Sequence, residues 1–201
     1  MVALTMGFVA STSCSAADTV SVRKVDFDEV KLGADQWIQC LVELDAKMPV
    51  KKDQGDVPNF VDNVKVEVIL AYKVDSSAAT AAEKFRTYTS SVQLSTLEVG
   101  KQVDVYFFIP HQIRKKYNLP KRPNFYIVKV IAGGEAQEPN NVSVKVPSAK
   151  EAKGLMDLAE KQKTDSEGVL LPIYDTPFYG AGGVYMKNLA PYKLKSRGSS
   201  N

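Results

Sequence analysis

The run from Asn63 to Val74, N-V-K-V-E-V-I-L-A-Y-K-V, constrains this chain more than any other stretch. Val64, Val66, Val68, Leu70, Tyr72 and Val74 fall on one face, and Lys65, Glu67, Ile69, Ala71 and Lys73 on the other. A period of two carried by β-branched residues is the pattern of a strand with one face in a core and one largely in water. Shorter runs repeat it on both sides. Val20 to Val30 places Val25 and Phe27 together, and Trp37 to Asp45 places Ile38, Cys40, Val42 and Leu44 together. Phe85 to Leu97 is extended, and Gln102 to Ile109 aligns Val103, Val105, Phe107 and Ile109. Asn124 to Ile131 and Val142 to Val146 complete the set.

The segments between these runs read as turns and loops. Leu32 to Asp35 and Glu98 to Lys101 are turns, Gly133-Gly134 ends a strand, and Glu135 to Asn141 is a loop. Lys47 to Phe60, with Pro49, Gly55 and Pro58, is a polar connection. Asp53 and Asp56 within it do not match the spacing of a calcium loop. Asp75 to Glu83 is an Ala-rich helix or a flexible crossing. Pro110 to Asn118 is a short helix, since proline at a first helical position gives up an N–H that has no partner there. Asn141-Val142-Ser143 matches a glycosylation sequon, a pattern frequent by chance.

Two features of the C-terminal third differ from the rest. Ser148-Ala149-Lys150-Glu151 is a capping box that opens a helix running to about Lys163. Ala152, Leu155, Met156 and Ala159 form its narrow apolar stripe, suited to docking on the parent domain. Beyond Gly168, the aromatic residues Tyr174, Phe178, Tyr179, Tyr185 and Tyr192 sit among glycines and prolines without a helix or strand period. Such a tail either packs on its own domain or marks a contact with a partner, and Phe178, Tyr179, Tyr185 and Tyr192 are the candidate interaction residues. Gly180, Gly182 and Gly183 lack the spacing and the lysine-serine pair of a phosphate loop.

The chemistry of a typical enzyme is absent from the sequence. His111 is the single histidine, at a helix start, so triads that need a histidine beside a nucleophile have no other source. Cys14 and Cys40, the two cysteines, are too few for a disulfide framework or a cysteine-based zinc site. No metal and no cofactor are expected, and the chain reads as a non-enzyme. With 26 basic and 23 acidic residues the charge balance is too even for a dedicated nucleic-acid binder. Arg114, Lys115, Lys116, Lys121 and Arg122 are the densest basic cluster, either a solvated surface or an anion patch. Tyr117 alone supplies an aromatic inside it, which weakens the nucleic-acid version.

Met1 to Ala17 has a short apolar run followed by small residues up to Ala17, as in the h-region and cleavage site of a secretory signal, although a basic n-region is missing. Export to the periplasm, outer membrane or cell surface is the expectation, with a membrane link only through lipidation of Cys14. The organisation that follows is a leader or extension over 1–17, a β-sandwich over 18–147, and a C-terminal helix and Gly/aromatic tail over 148–201. About seven alternating strands without a βαβ rhythm give an all-β class: an antiparallel immunoglobulin-like β-sandwich, with an OB-like barrel as the alternative.

The V-K-V-E-V-I-L-A-Y-K-V and N-F-Y-I-V-K-V-I strands, with the tail V-L-L-P-I-Y-D-T-P-F, resemble the pilus-associated immunoglobulin-like surface proteins of Verrucomicrobia. The resemblance spans most of residues 18 to 201. It implies an immunoglobulin-like fold, a cell-envelope location, and a structural or accessory role in a type IV pilus-like assembly through protein–protein contacts. A major pilin needs a long apolar N-terminal helix, so an accessory component suits Met1 to Ala17 better. A carbohydrate- or mucin-binding module, using coplanar tyrosines such as Tyr179 and Tyr185, is one alternative. An OB-type domain binding anions or nucleic acid through Arg114 to Arg122 is the other.

Overall fold

A computed structural model describes residues 19–47, 59–74, 77, 84–133, 135–136, 143–145, 148–180, 188–189 and 191. Met1 to Ala17, Asp53, Asp56, most of the Ala-rich stretch, the sequon asparagine, the Gly182-Gly183 pair, Tyr185 and Tyr192 lie outside the described residues.

Among the described residues, nine strands form two sheets. β1 (Val20–Leu32), β2 (Asp35–Ala46), β5 (Gln102–Ile109) and β9 (Leu171–Pro172) make the first, in the order β1-β2-β5-β9. The second has β4 (Phe85–Glu98), β3 (Phe60–Lys73) and β6 (Phe125–Ala132) in that order, with the short strands β7 (Glu135–Ala136) and β8 (Ser143–Lys145) on the far side of β6. These nine strands pair antiparallel throughout, and one isolated parallel bridge joins Asp104 of β5 to Leu189. The chain makes the β1–β2 hairpin, crosses to make the β3–β4 hairpin, returns to lay β5 beside β2, and crosses again to lay β6 beside β3. This is the Greek-key path of an immunoglobulin-like sandwich with the fourth strand in the second sheet. The sheets stay open and face each other, so the barrel alternative is set aside.

The central run behaves as its period dictates. Val64, Val66, Val68, Leu70 and Tyr72 are fully buried between the sheets, and Val74 packs against them. They meet Ile38, Cys40, Val42 and Leu44 of β2 and Val103, Val105, Phe107 and Ile109 of β5. Each such side chain removed from water contributes about 1.5–3 kcal/mol. Cys40 is a free, buried thiol in this layer, and desolvation pushes its pKa up, away from reactivity. β3 begins at Phe60, three residues before the alternating run, because Phe60 to Asp62 pair with Glu98 to Thr96. The expected loop after Gly133 contains the two-residue strand β7, paired to the end of β6. At the β1–β2 turn, Gly33 has a φ of +62° in a two-residue loop. Glycine at the first position of such a loop lets the turn match the twist of the flanking strands.

The C-terminal third covers both outer faces. Helix α2 (Ala149–Lys161) starts at Ser148, whose Oγ accepts from the Glu151 N–H at 3.2 Å. Its Leu155, Ala152 and Met156 pack with Ala71, Ile69, Phe85, Phe125 and Ile127 on the outer face of the second sheet. This explains why Ala71, on the expected solvent face of β3, is fully buried. A short turn, α3 (Lys163–Ser166), follows. The chain then crosses to the first sheet as β9, a 3-10 turn (Ile173–Asp175) and α4 (Pro177–Gly180).

Candidate functional site

The tail's aromatic residues define the first surface. On β5, Phe107 points into the sandwich and Phe108 points out, yet both are fully buried. Phe108, Trp37, Tyr106 and Ile173 form a second apolar cluster under the tail, with Leu171, Tyr174, Phe178 and Leu189 packed against it. Phe178 stacks on Phe108 with centroids 4.7 Å apart at 18°, and meets Trp37 edge-on at 5.4 Å and 86°. Tyr179 is 48% exposed and its ring meets Tyr174 edge-on at 5.2 Å. Thr176 locks the bend by donating its hydroxyl to the Ile173 carbonyl at 2.6 Å. In the described residues, then, Phe178 is an anchor on the chain's own sheet, and Tyr179 is the aromatic that the tail presents outward.

The same segment covers sheet edges. β9 pairs with Phe107 and Phe108 of β5, and farther along Asp104 donates its N–H to the Asn188 carbonyl at 2.8 Å. On β4, the Ser95 N–H donates to the Pro191 carbonyl at 3.0 Å. Gln162, just after α2, accepts from the Thr87 N–H and hydroxyl at 2.9 Å each and donates to the Phe85 carbonyl at 3.0 Å. These contacts occupy the backbone groups that an edge strand otherwise offers to another chain. β1 differs. It is 13 residues long, stands at the end of its sheet, and pairs only with β2 among the described residues.

The basic cluster lies next to β1. Helix α1 (His111–Lys116) and the loop after it bring Arg114 Nη2 to 2.6 Å from Glu29, Lys121 Nζ to 2.6 Å from Asp28, and Arg122 Nη2 to 3.8 Å from Asp26. Arg114 also donates to the Gln36 side chain at 2.7 Å. Lys24 on β1 reaches Asp26 at 3.0 Å. The Lys24 hydrogen bond holds the Asp26 carboxyl below its usual range, and the Lys121 hydrogen bond does the same for Asp28. Three of the five clustered cations are thus matched by carboxylates of one strand, and Lys115 and Lys116 stay exposed. The charge count alone does not reveal this match. The D-F-D-E order on β1, set opposite a K-R loop, is the sequence signal for it.

Between the β1–β2 turn and α1 lies an open hollow of about 770 Å3. It is lined by Asp35, Gln36, His111, Arg114, Lys115 and Lys116 among others. His111 Nδ1 is 3.2 Å from Asp35 Oδ2, out of line for a hydrogen bond, and the imidazole is 6.3 Å from the Trp37 ring. No group of three or more His, Cys, Asp or Glu side chains suited to a metal ion occurs among the described residues. No helix among them is long and apolar enough to cross a membrane.

No protein-family model matches the chain, and no curated protein matches it. Among solved structures, the chain is similar to a crystal structure of a protein from Akkermansia muciniphila, a member of the Verrucomicrobia. The TM-score is 0.59 at 12% identity, over 87% of this chain and 92% of that one. At that identity the likeness is one of fold.

Proposed function

We propose that this protein is a non-enzymatic, exported component of the cell envelope, an accessory of a type IV pilus-like assembly, and that it works by protein–protein contact through the edge of β1. The observation that carries the reading is the contrast between edges. The C-terminal segment caps β4 and β5, while β1, which among the described residues pairs on one side only, presents a long row of backbone groups to a partner's strand. A register shift between Val22 and Lys24 and the charges Arg23, Lys24, Asp26, Asp28, Glu29 and Lys31 guard that edge against indiscriminate pairing, and favour a partner of complementary charge order. The sequence resemblance to pilus-associated proteins of Verrucomicrobia, and a fold shared with a protein from that phylum, support the same reading.

The test is capture of partners from envelope extracts with the purified chain as bait, read by mass spectrometry. Recovery of pilus components, lost in the Asp26→Lys/Asp28→Lys variant while its circular dichroism spectrum is unchanged, is the expected result. Recovery of the bait alone, or of the same components by both proteins, refutes the edge reading.

A further inference from the structure

We propose that the hollow between the β1–β2 turn and α1 binds a small sugar carrying an oxyanion ester, independently of any contact at the β1 edge. Its lining holds three cations, Arg114, Lys115 and Lys116, against one carboxylate, Asp35. The carboxylate faces His111. Arg114 is held by Glu29 and Gln36, which fixes one wall of the hollow and occupies most of that guanidinium. The exposed ammonium groups of Lys115 and Lys116 supply the uncompensated positive charge. Lys116 lies 5.1 Å from the Tyr117 ring, which limits the directions its stem can take. Gln112 and Asn118 add side-chain amides, which donate to and accept from sugar hydroxyls. Asn118 is held at the helix end with a φ of +47°. The hollow, about 770 Å3 and open to solvent, is far larger than one inorganic ion needs. Cations with amides in such a space match an anionic group on a polar, hydroxylated carrier.

The sulfate and phosphate forms of the ester share this chemistry, and the probes separate them. Glucose 6-sulfate, glucose 6-phosphate and glucose are titrated into the 15N-labelled full chain at low ionic strength. Saturable shifts confined to residues 34–36 and 111–119, with either ester and not with glucose, are expected, and the tighter of the two names the source. Trp37, the only tryptophan, lies beside His111 and gives a second readout by emission. Lys115→Glu/Lys116→Glu is expected to weaken binding about tenfold or more, since two exposed attractions become repulsions. Gln112→Ala, which keeps every charge, separates sugar recognition from charge alone and is expected to weaken both esters. Absence of saturation with both esters, equal binding of glucose, or affinity unchanged in the double-lysine variant overturns the proposal. Loss of pilus-component capture leaves these titrations untouched, so the two readings fail separately.

Discussion

Phe178→Ala tests whether the C-terminal tail is built onto the sandwich as a separable strap. A fully buried phenylalanine costs about 3–5 kcal/mol on truncation to alanine. Phe178 is only partly buried, but it contributes a stacked contact with Phe108 and an edge contact with Trp37. Such aromatic pairs add about 0.5–1.5 kcal/mol each beyond area. Half of the core figure, about 2 kcal/mol, is therefore the expected loss, or about thirtyfold in the docking equilibrium. The loss should be local. The cluster under the tail (Trp37, Tyr106, Phe108 and Ile173) is distinct from the cluster between the sheets. Hydrogen exchange should speed up at the backbone amides through which β9 and β5 pair, while the β3 amides from Val64 to Tyr72 keep their protection. Trp37, at 7% exposure, should shift its emission to the red. Unchanged exchange at β9 together with unchanged emission refutes the anchoring role. Equal acceleration in β3 refutes the separability of the strap.

Other perturbations probe the remaining parts. Gly33→Ala forces a side chain into a φ of +62° and should cost about 1–3 kcal/mol in urea unfolding, although nothing crowds the added methyl. Asp28 has a folded pKa below its ordinary value, so its contribution is present above about pH 4 and fades as pH falls through the folded value. Asp28→Asn should therefore lower stability at pH 7 by at most about 1 kcal/mol, less in high salt, and converge with the parent chain as the pH falls through the folded value. Burial raises the Tyr88 and Tyr106 phenols to about 12, so both should ionise late in an ultraviolet titration. Because the unfolded phenols release their protons near pH 10, stability should fall as pH climbs from there toward 12. Leu155→Ala, at the contact of α2 with Ala71 and Ile127, should cost about 2–3 kcal/mol and free α2 before the sandwich unfolds.

How much of this was legible depended on whether a residue's fate is set by its own strand or by a distant segment. The strand of Val64 to Tyr72, the apolar faces of β2 and β5, and the Ser148 cap follow from period and local chemistry, so the sandwich could be read directly. The outer faces could not. Ala71 and Phe108 lie on the faces that alternation assigns to water, and each is covered by chain more than sixty residues downstream. The apolar stripe of α2 announced a docking face but not which one. The tail lacked any period because β9, the 3-10 turn and α4 are two to four residues each, too short to show one. The basic cluster was legible as five cations, whereas its pairing with Asp26, Asp28 and Glu29 depends on the fold bringing the α1–β6 loop alongside β1.

That arrangement changes what the surface can do. Had the five cations stood free, long-range attraction for polyanions would dominate this end of the molecule. Pairing confines the unmatched charge to Lys115 and Lys116 at the mouth of the hollow, and β1 carries basic residues towards its ends (Arg23, Lys24 and Lys31) around an acidic stretch (Asp26, Asp28 and Glu29). A polyanion gains little from such a pattern, whereas a strand with the complementary order gains hydrogen bonds and charge pairs together. The C-terminal segment adds to this selectivity by capping β4 and β5, so that a donated strand meets one long edge rather than several. Its removal would expose Trp37, Phe108 and Ala71 as well as the capped edges. A truncation at Gly168 would therefore create new adhesive surface on the first sheet while α2 still covered the second, and the bait would be expected to aggregate rather than simply lose a partner. Point substitutions at Asp26 and Asp28 leave those faces covered, which makes them the sharper probe of the β1 edge.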